Sequence, residues 1–193
     1  MNIGLIGAGA IAKFLLDKIN LHSHTSLHIT SIFVRNKEKH QSLESKYGVK
    51  LFTELDAFLD SEIDIVVEAA NIEAVQTLIP TVLKRKDIVL ISVGAFAEEK
   101  FLSEIQCIIQ EYKHEIHLPS GAIGGLDLLQ NAQALGAVRS VLLTTRKPAN
   151  TLTDEKIHES KVIFEGKAVD AIKKYPKNMN ISIVLSLAGL GAE

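Results

Sequence analysis

Apolar positions in this chain fall into two spacings that take turns as far as residue 118. Short runs, apolar throughout or at alternate positions, predict strands over residues 2–6 (NIGLI), 28–34 (HITSIFV), 49–52, 64–68 (DIVVE), 88–92 and 115–118. Between them, helical spacing predicts helices from the glycine-rich stretch after residue 6 and over 37–47, 54–59, 72–85 and 98–112, with Gly48 closing the second. The DIVVE run does not alternate, which marks a strand covered on both faces, as in a parallel sheet. Phe101, Ile105, Ile108 and Tyr112 form a stripe expected to pack on that sheet, and Pro80 predicts a kink or break in its helix. Strand and helix in regular alternation predict an α/β fold with a doubly wound parallel sheet of Rossmann type.

The rhythm changes at residue 119. Pro119, Ser120, Gly121, Ala122, Ile123, Gly124, Gly125, Leu126 and Asp127 place three glycines and a proline at the expected boundary between a first domain, 1–118, and a second, 119–193. A helical stretch to Leu135 follows, then a β-branched strand over 137–145 ending in Arg146, Lys147 and Pro148. A strand over 160–164, an amphipathic helix over 166–175 and an apolar segment over 181–191 follow.

The junction of the first strand and first helix carries candidate chemistry. Gly7, Ala8, Gly9, Ala10, Ile11 and Ala12 have the G-x-G-x-x-A spacing of a dinucleotide-binding turn. Gly7 permits the tight turn, Gly9 removes the Cβ that would block a pyrophosphate, and Ala12 lets the helix pack closely on the strand. Phosphates would then meet free backbone N–H groups at the positive end of the helix dipole. The same sequence also suits a turn shaped by packing alone. At the end of the second strand, where an NAD enzyme usually has a carboxylate for the ribose hydroxyls, the chain has Arg35, Asn36 and Lys37, with Lys39 beyond. No carboxylate there repels a 2′-phosphate and Arg35 can grip one, so NADP(H) is expected to be preferred or shared with NAD(H). The alternative makes Arg35 and Lys37 surface charges and Asn36 a helix cap. Small residues also end the fourth and fifth strands: Ala69, Ala70 and Asn71, then Ser92, Val93, Gly94 and Ala95. Both sets would let a cofactor ring approach, with Asn71 as a hydrogen-bonding group, a helix cap, or both.

Composition narrows the rest. With 193 residues and 47% hydrophobic content the chain can bury a sizeable core, and a net charge of −2 supplies no general attraction for nucleic acid or membrane. No apolar run reaches membrane-spanning length and no leader pattern opens the chain, so a cytoplasmic protein is expected. Cys107, the sole cysteine, excludes a disulfide framework and reads as a small helix residue. His22, His24 and His28 lie where a helix gives way to a strand with no carboxylate nearby, so they read as solvated loop residues and no metal site is expected.

Five blocks taken together, PSGAIGGLD (119–127), LLTTRKP (142–148), VIFEG (162–166), NMN (178–180) and LSLAGLG (185–191), resemble L-aspartate dehydrogenases, and the likeness runs from Gly7 to Gly191. The resemblance implies a homodimeric NAD(P)-dependent oxidoreductase that converts L-aspartate to iminoaspartate, feeding NAD biosynthesis through quinolinate, built as a Rossmann domain followed by a smaller, incomplete α+β substrate domain whose remaining strands and terminal helix are expected beyond Glu193. It implies dinucleotide contacts at Ala122 and Asn180, with Ser92, Val93, Gly94, Ala95 and Ala69, Ala70, Asn71 lining the nicotinamide. Arg146, Lys147 and Asn178 are candidates for holding the substrate, Arg146 and Lys147 because cations suit two carboxylates. The family's catalytic histidine belongs to an Asn-x-His-Glu type segment expected beyond Glu193, and His114, His117 and His158 do not occupy that motif, so no catalytic residue is assigned within the chain. Competing expectations are an NADP(H)-binding protein without turnover and a homoserine dehydrogenase or dihydrodipicolinate reductase type of enzyme, which share the two-domain plan.

Overall fold

The strands Asn2–Ile6 (β1), His28–Phe33 (β2), Lys50–Phe52 (β3), Ile65–Glu68 (β4), Asp87–Leu90 (β5) and Ile116–His117 (β6) form one sheet in the order β3-β2-β1-β4-β5-β6. Every neighbouring pair is parallel. The computed structural model describes residues 1–22, 26–154, 159–175 and 180–191. The chain divides into two compact units, Met1–Pro119 and Ser120–Glu193.

In the first unit the strand order reverses between β1 and β4, which opens a crevice at their carboxyl ends. Register keeps those ends level, because Ile6 stands opposite both Phe33 of β2 and Glu68 of β4. The helices Ala10–Leu16 (α1), Ser42–Tyr47 (α2), Leu55–Leu59 (α3), Ile72–Val82 (α4) and Glu99–Tyr112 (α5) connect the strands. Leu5, Ile32, Val66, Ile88 and Leu90 on the strands are completely buried, as are Leu16, Val75 and Ile79 on the helices. A central glycine matters to this core. A Cβ on Gly4 would lie 2.7 Å from both Phe58 Cζ and Ile63 Cδ1. Its absence makes room for the fully buried Phe58 ring, which has Phe33 and Phe52 at centroid distances of 6.0 and 6.1 Å.

Three expectations in this unit change. Residues 37–41 form only one 3-10 turn, Glu38–His40, before α2 begins at Ser42. Pro80 does not break its helix; α4 carries on to Val82 and then loosens, with Lys84 N–H donating to Thr81 and Arg85 N–H to Val82 three residues back. Tyr112 leaves the buried stripe that Phe101 and Ile105 keep and lies exposed, with Lys84 Nζ 5.9 Å from its ring centre.

The second unit holds the helices Leu126–Ala134 (α6), Ala168–Lys174 (α7) and Asn180–Ala188 (α8), with α6 and α7 both packed on α8. Ile172, Ser182, Ile183 and Val184 are buried there, and Phe164 meets Tyr175 edge-on at 6.3 Å. The strands expected over 137–145 and 160–164 are irregular among the described residues. A β-branched run becomes a strand only against a partner, and these segments form no ladder among the described residues, leaving Leu142 92% and Val162 74% exposed.

Candidate functional site

A cleft of ≈ 800 Å³ opens at the carboxyl ends of β1, β2 and β4. Its floor is the turn from β1 into α1. Gly7 has φ +101°, and a Cβ there would stand 2.8 Å from the Ala69 carbonyl oxygen. The turn is pinned on both sides, with Gly7 N–H donating to Phe33 O (3.0 Å) and Ala69 N–H to Ile6 O (2.9 Å). Gly9 differs in kind: its φ is an ordinary −78°, and a Cβ on it would meet only Ala69 O, at 3.9 Å. The space Gly9 leaves empty therefore belongs to the cleft and not to the packing. Gly9 also heads α1 without a side-chain cap, so among the described residues no side chain accepts from the amides of that first turn. Among the other residues of the turn, Ala10 and Ile11 are exposed outside the cleft lining, and Ala12 is fully buried, as close helix packing requires.

One wall carries cations. Arg35, Asn36, Lys39 and His40 line it, whereas Lys37 is occupied by an ion pair with Glu44 at 3.2 Å. Arg35 and Lys39 make no ion pair among the described residues. Asn36 Oδ1 accepts from Lys39 N–H at 3.0 Å, so it caps the turn while facing the cleft. Burial, then the charges of Lys39 and Lys13, hold the His40 imidazole below its usual value.

The opposite wall begins with Ala69, Ala70 and Asn71. Asn71 Oδ1 accepts from Ala74 N–H at 2.8 Å and caps α4. Its carbonyl group is thus committed to the helix. Glu73, Thr77 and Leu78 of α4 continue the wall. Ser92, Val93, Gly94 and Ala95 do not line this cleft. Ser92 is half-buried, and Val93, Gly94 and Ala95 are buried within a 3-10 turn, Val93–Ala97.

Glu68 is the residue that the sequence reading passed over. It is fully buried at the last position of β4, and its carboxylate accepts from Ala70 N–H (2.7 Å), Ser92 Oγ–H (2.8 Å), Ser92 N–H (2.8 Å) and Ile91 N–H (3.2 Å). A glutamate ending an apolar run looks like a strand meeting water. Only the register that sets Glu68 opposite Leu90 reveals donors from the next strand end.

In the second unit Ala122 is exposed in a turn where Ile123 N–H donates to Ser120 O, and Asn180 is the exposed first residue of α8. Arg146 is exposed and Lys147 half-buried on an irregular segment; Asn178, His24 and His158 lie outside the described residues. His114 Nδ1 pairs with Asp87 Oδ1 at 2.9 Å at the start of β5, the end of the sheet away from the cleft. Among the described residues no three histidine, cysteine or acidic side chains cluster as metal ligands, and no helix is long and apolar enough to cross a membrane.

Comparison with known proteins adds to this geometry. Residues 7–119 match the family model described as homoserine dehydrogenase, NAD binding domain, and residues 127–193 match aspartate dehydrogenase, C-terminal. The chain is 35% identical to an L-aspartate dehydrogenase of Methanocaldococcus jannaschii over 97% of its own length and 74% of that protein's. It is 37% identical to one from Methanopyrus kandleri, covering 97% and 72%. The crystal structure of an aspartate dehydrogenase from Thermotoga maritima superposes with a TM-score of 0.72 at 27% identity, covering 97% of this chain and 73% of that one.

Proposed function

The chain belongs to the L-aspartate dehydrogenase family, and from that membership we propose that it binds a nicotinamide dinucleotide in the first unit's cleft and oxidises L-aspartate to iminoaspartate. The carrying observation is Gly9, a position with room for a side chain in the fold and none in a cleft that holds a diphosphate. The uncapped first turn of α1 offers amide donors to that diphosphate. A nicotinamide bound there would supply a two-electron acceptor for the hydrogen and electron pair on the aspartate α-carbon, with the nitrogen giving up a proton. Water then releases oxaloacetate and ammonia from the imine, or the imine passes to NAD biosynthesis.

The chain's own residues do the holding. Gly7 and Gly9 shape the floor, and Ala69, Ala70 and Asn71 limit how deeply the ligand enters. Arg35 and Lys39, without ion-pair partners among the described residues, face the adenosine side, which supports a preference for NADP(H). In the second unit Arg146 and Lys147 are the candidate cations for the two substrate carboxylates. His114, committed to Asp87 at the far end of the sheet, takes no part.

The test supplies oxaloacetate, ammonia and NADPH or NADH and follows loss of the reduced-nicotinamide absorbance. Turnover with oxaloacetate supports the proposal. Cofactor binding without turnover would overturn the proposed oxidation of aspartate by this chain, and a thermal midpoint unmoved by either reduced cofactor would overturn the cofactor assignment.

A further inference from the structure

The four donors converging on one hidden carboxylate have a consequence for the cleft. Glu68 Oε1 takes Ala70 N–H and the Ser92 hydroxyl, and Oε2 takes the N–H groups of Ser92 and Ile91. Burying a carboxylate is costly unless it is fully hydrogen-bonded, and an apolar side chain would fill the same space without that cost. What glutamate adds is a tie between the segments that follow two adjacent strands, β4 and β5. In a doubly wound nucleotide fold, the β1 and β2 side takes one mononucleotide and the β4 and β5 side takes the other. Arg35 stands at the first of these. We infer that Glu68 is a positioning residue for the nicotinamide half of the dinucleotide, holding the Ala70 and Ser92 segments at the separation that the ring needs. The inference rests on the dinucleotide reading of the cleft. Glu68 has no exposed surface, so it touches no ligand and acts through Ala70, which lines the cleft, and through Ser92.

This role separates two ligands that share everything except the nicotinamide base, NADH and ADP-ribose. In Glu68→Gln the new NH₂ must face either Ala70 N–H and the Ser92 hydroxyl or the N–H groups of Ile91 and Ser92. Either way at least one backbone donor loses its acceptor on the fully buried Glu68 side chain. Titration calorimetry on the full chain should show NADH affinity falling about tenfold in Glu68→Gln while ADP-ribose affinity stays within about twofold. Equal losses for both ligands would mean that Glu68 merely supports the fold, and unchanged affinity for both would mean that the tie is irrelevant; either overturns the inference. Should Glu68→Gln fail to fold, Ser92→Ala removes only the hydroxyl donor. It should still weaken NADH binding and spare ADP-ribose, and NADH affinity equal to wild type would overturn the inference. A wild-type chain that binds neither ligand would instead remove the dinucleotide reading itself, so the two failures are distinguishable.

Discussion

Gly7 approaches Ala69 so closely that a Cβ on the glycine would stand 2.8 Å from the Ala69 carbonyl oxygen, with the Ala70 methyl only 3.0 Å away. Together with a φ of +101° this makes Gly7 a structural requirement, while Gly9, two residues on, has ordinary backbone and open space. The pair therefore predicts opposite outcomes. Gly7→Ala should lower unfolding stability by about 1–3 kcal/mol through backbone strain alone, and more if the β1 to β4 contact opens. Gly9→Val should cost at most about 1 kcal/mol at the head of α1 and yet abolish the rise in melting temperature that NADPH or NADH produces. Urea unfolding and thermal shift on the two variants check this; retained cofactor binding in Gly9→Val would contradict it.

Cofactor choice is predicted to turn on Arg35. Lys37 is held by Glu44, so the cleft wall presents Arg35 and Lys39 as cations that make no ion pair among the described residues. A charge-assisted hydrogen bond contributes about 1.5–3 kcal/mol, which is roughly one to two orders of magnitude in affinity. Arg35→Asp should thus weaken NADPH binding about ten- to a hundredfold and change NADH binding little, and Lys37→Ala should affect neither strongly. Equal losses for the two cofactors in Arg35→Asp would count against a 2′-phosphate at this wall.

Much of this site is readable from local order, because its glycines, helix start and strand ends are consecutive in the chain. The β1 strand, the glycine turn and the Gly48 stop at φ +68° all follow from short-range rules of spacing and backbone freedom. What escapes is whatever depends on register. Glu68 finds Ile91 and Ser92 more than twenty residues away, and Asp87 meets His114 across 27 positions. The runs over 137–145 and 160–164 have strand chemistry without ladder partners among the described residues, and composition alone cannot supply a partner. Tyr112 fits the helical stripe by spacing, but it lies at the end of α5, level with Lys84 and not with the sheet. Val93, Gly94 and Ala95 are small residues following a strand end, and they are buried within the 3-10 turn Val93–Ala97.

Acid should find a weak point at the opposite end of the sheet. Asp87 Oδ1 accepts from Glu115 N–H at 2.9 Å and from His114, and these bonds, the backbone one first, hold its carboxyl below the usual carboxylate value. A group depressed in the folded state adds stability above its unfolded value, about 3.9, and that stability is lost as pH falls through the lower folded value. Asp87→Asn keeps an acceptor oxygen for Glu115 but no longer titrates. The variant should be less stable than wild type at neutral pH, with the difference shrinking as pH falls below about 4. Urea midpoints measured across that range check it, and a gap that stayed constant would refute the linkage.

The last prediction concerns why position 4 is glycine. Phe58 is fully buried against Gly4, and a methyl there would sit 2.7 Å from the ring edge and 2.7 Å from Ile63 Cδ1. Gly4→Ala should cost about 1–3 kcal/mol by overpacking, and Phe58→Ala about 3–5 kcal/mol by leaving a cavity. The two changes touch the same space, so they should not add. In Gly4→Ala with Phe58→Ala the new methyl occupies part of the vacated volume, and the terminal carbon of Ile63 can rotate into the remainder. The double variant should therefore be more stable than the sum of the single losses implies, by about 0.5–3 kcal/mol, measured by urea unfolding. Strict additivity would show that Gly4 is retained for backbone freedom and not for the volume of the Phe58 ring.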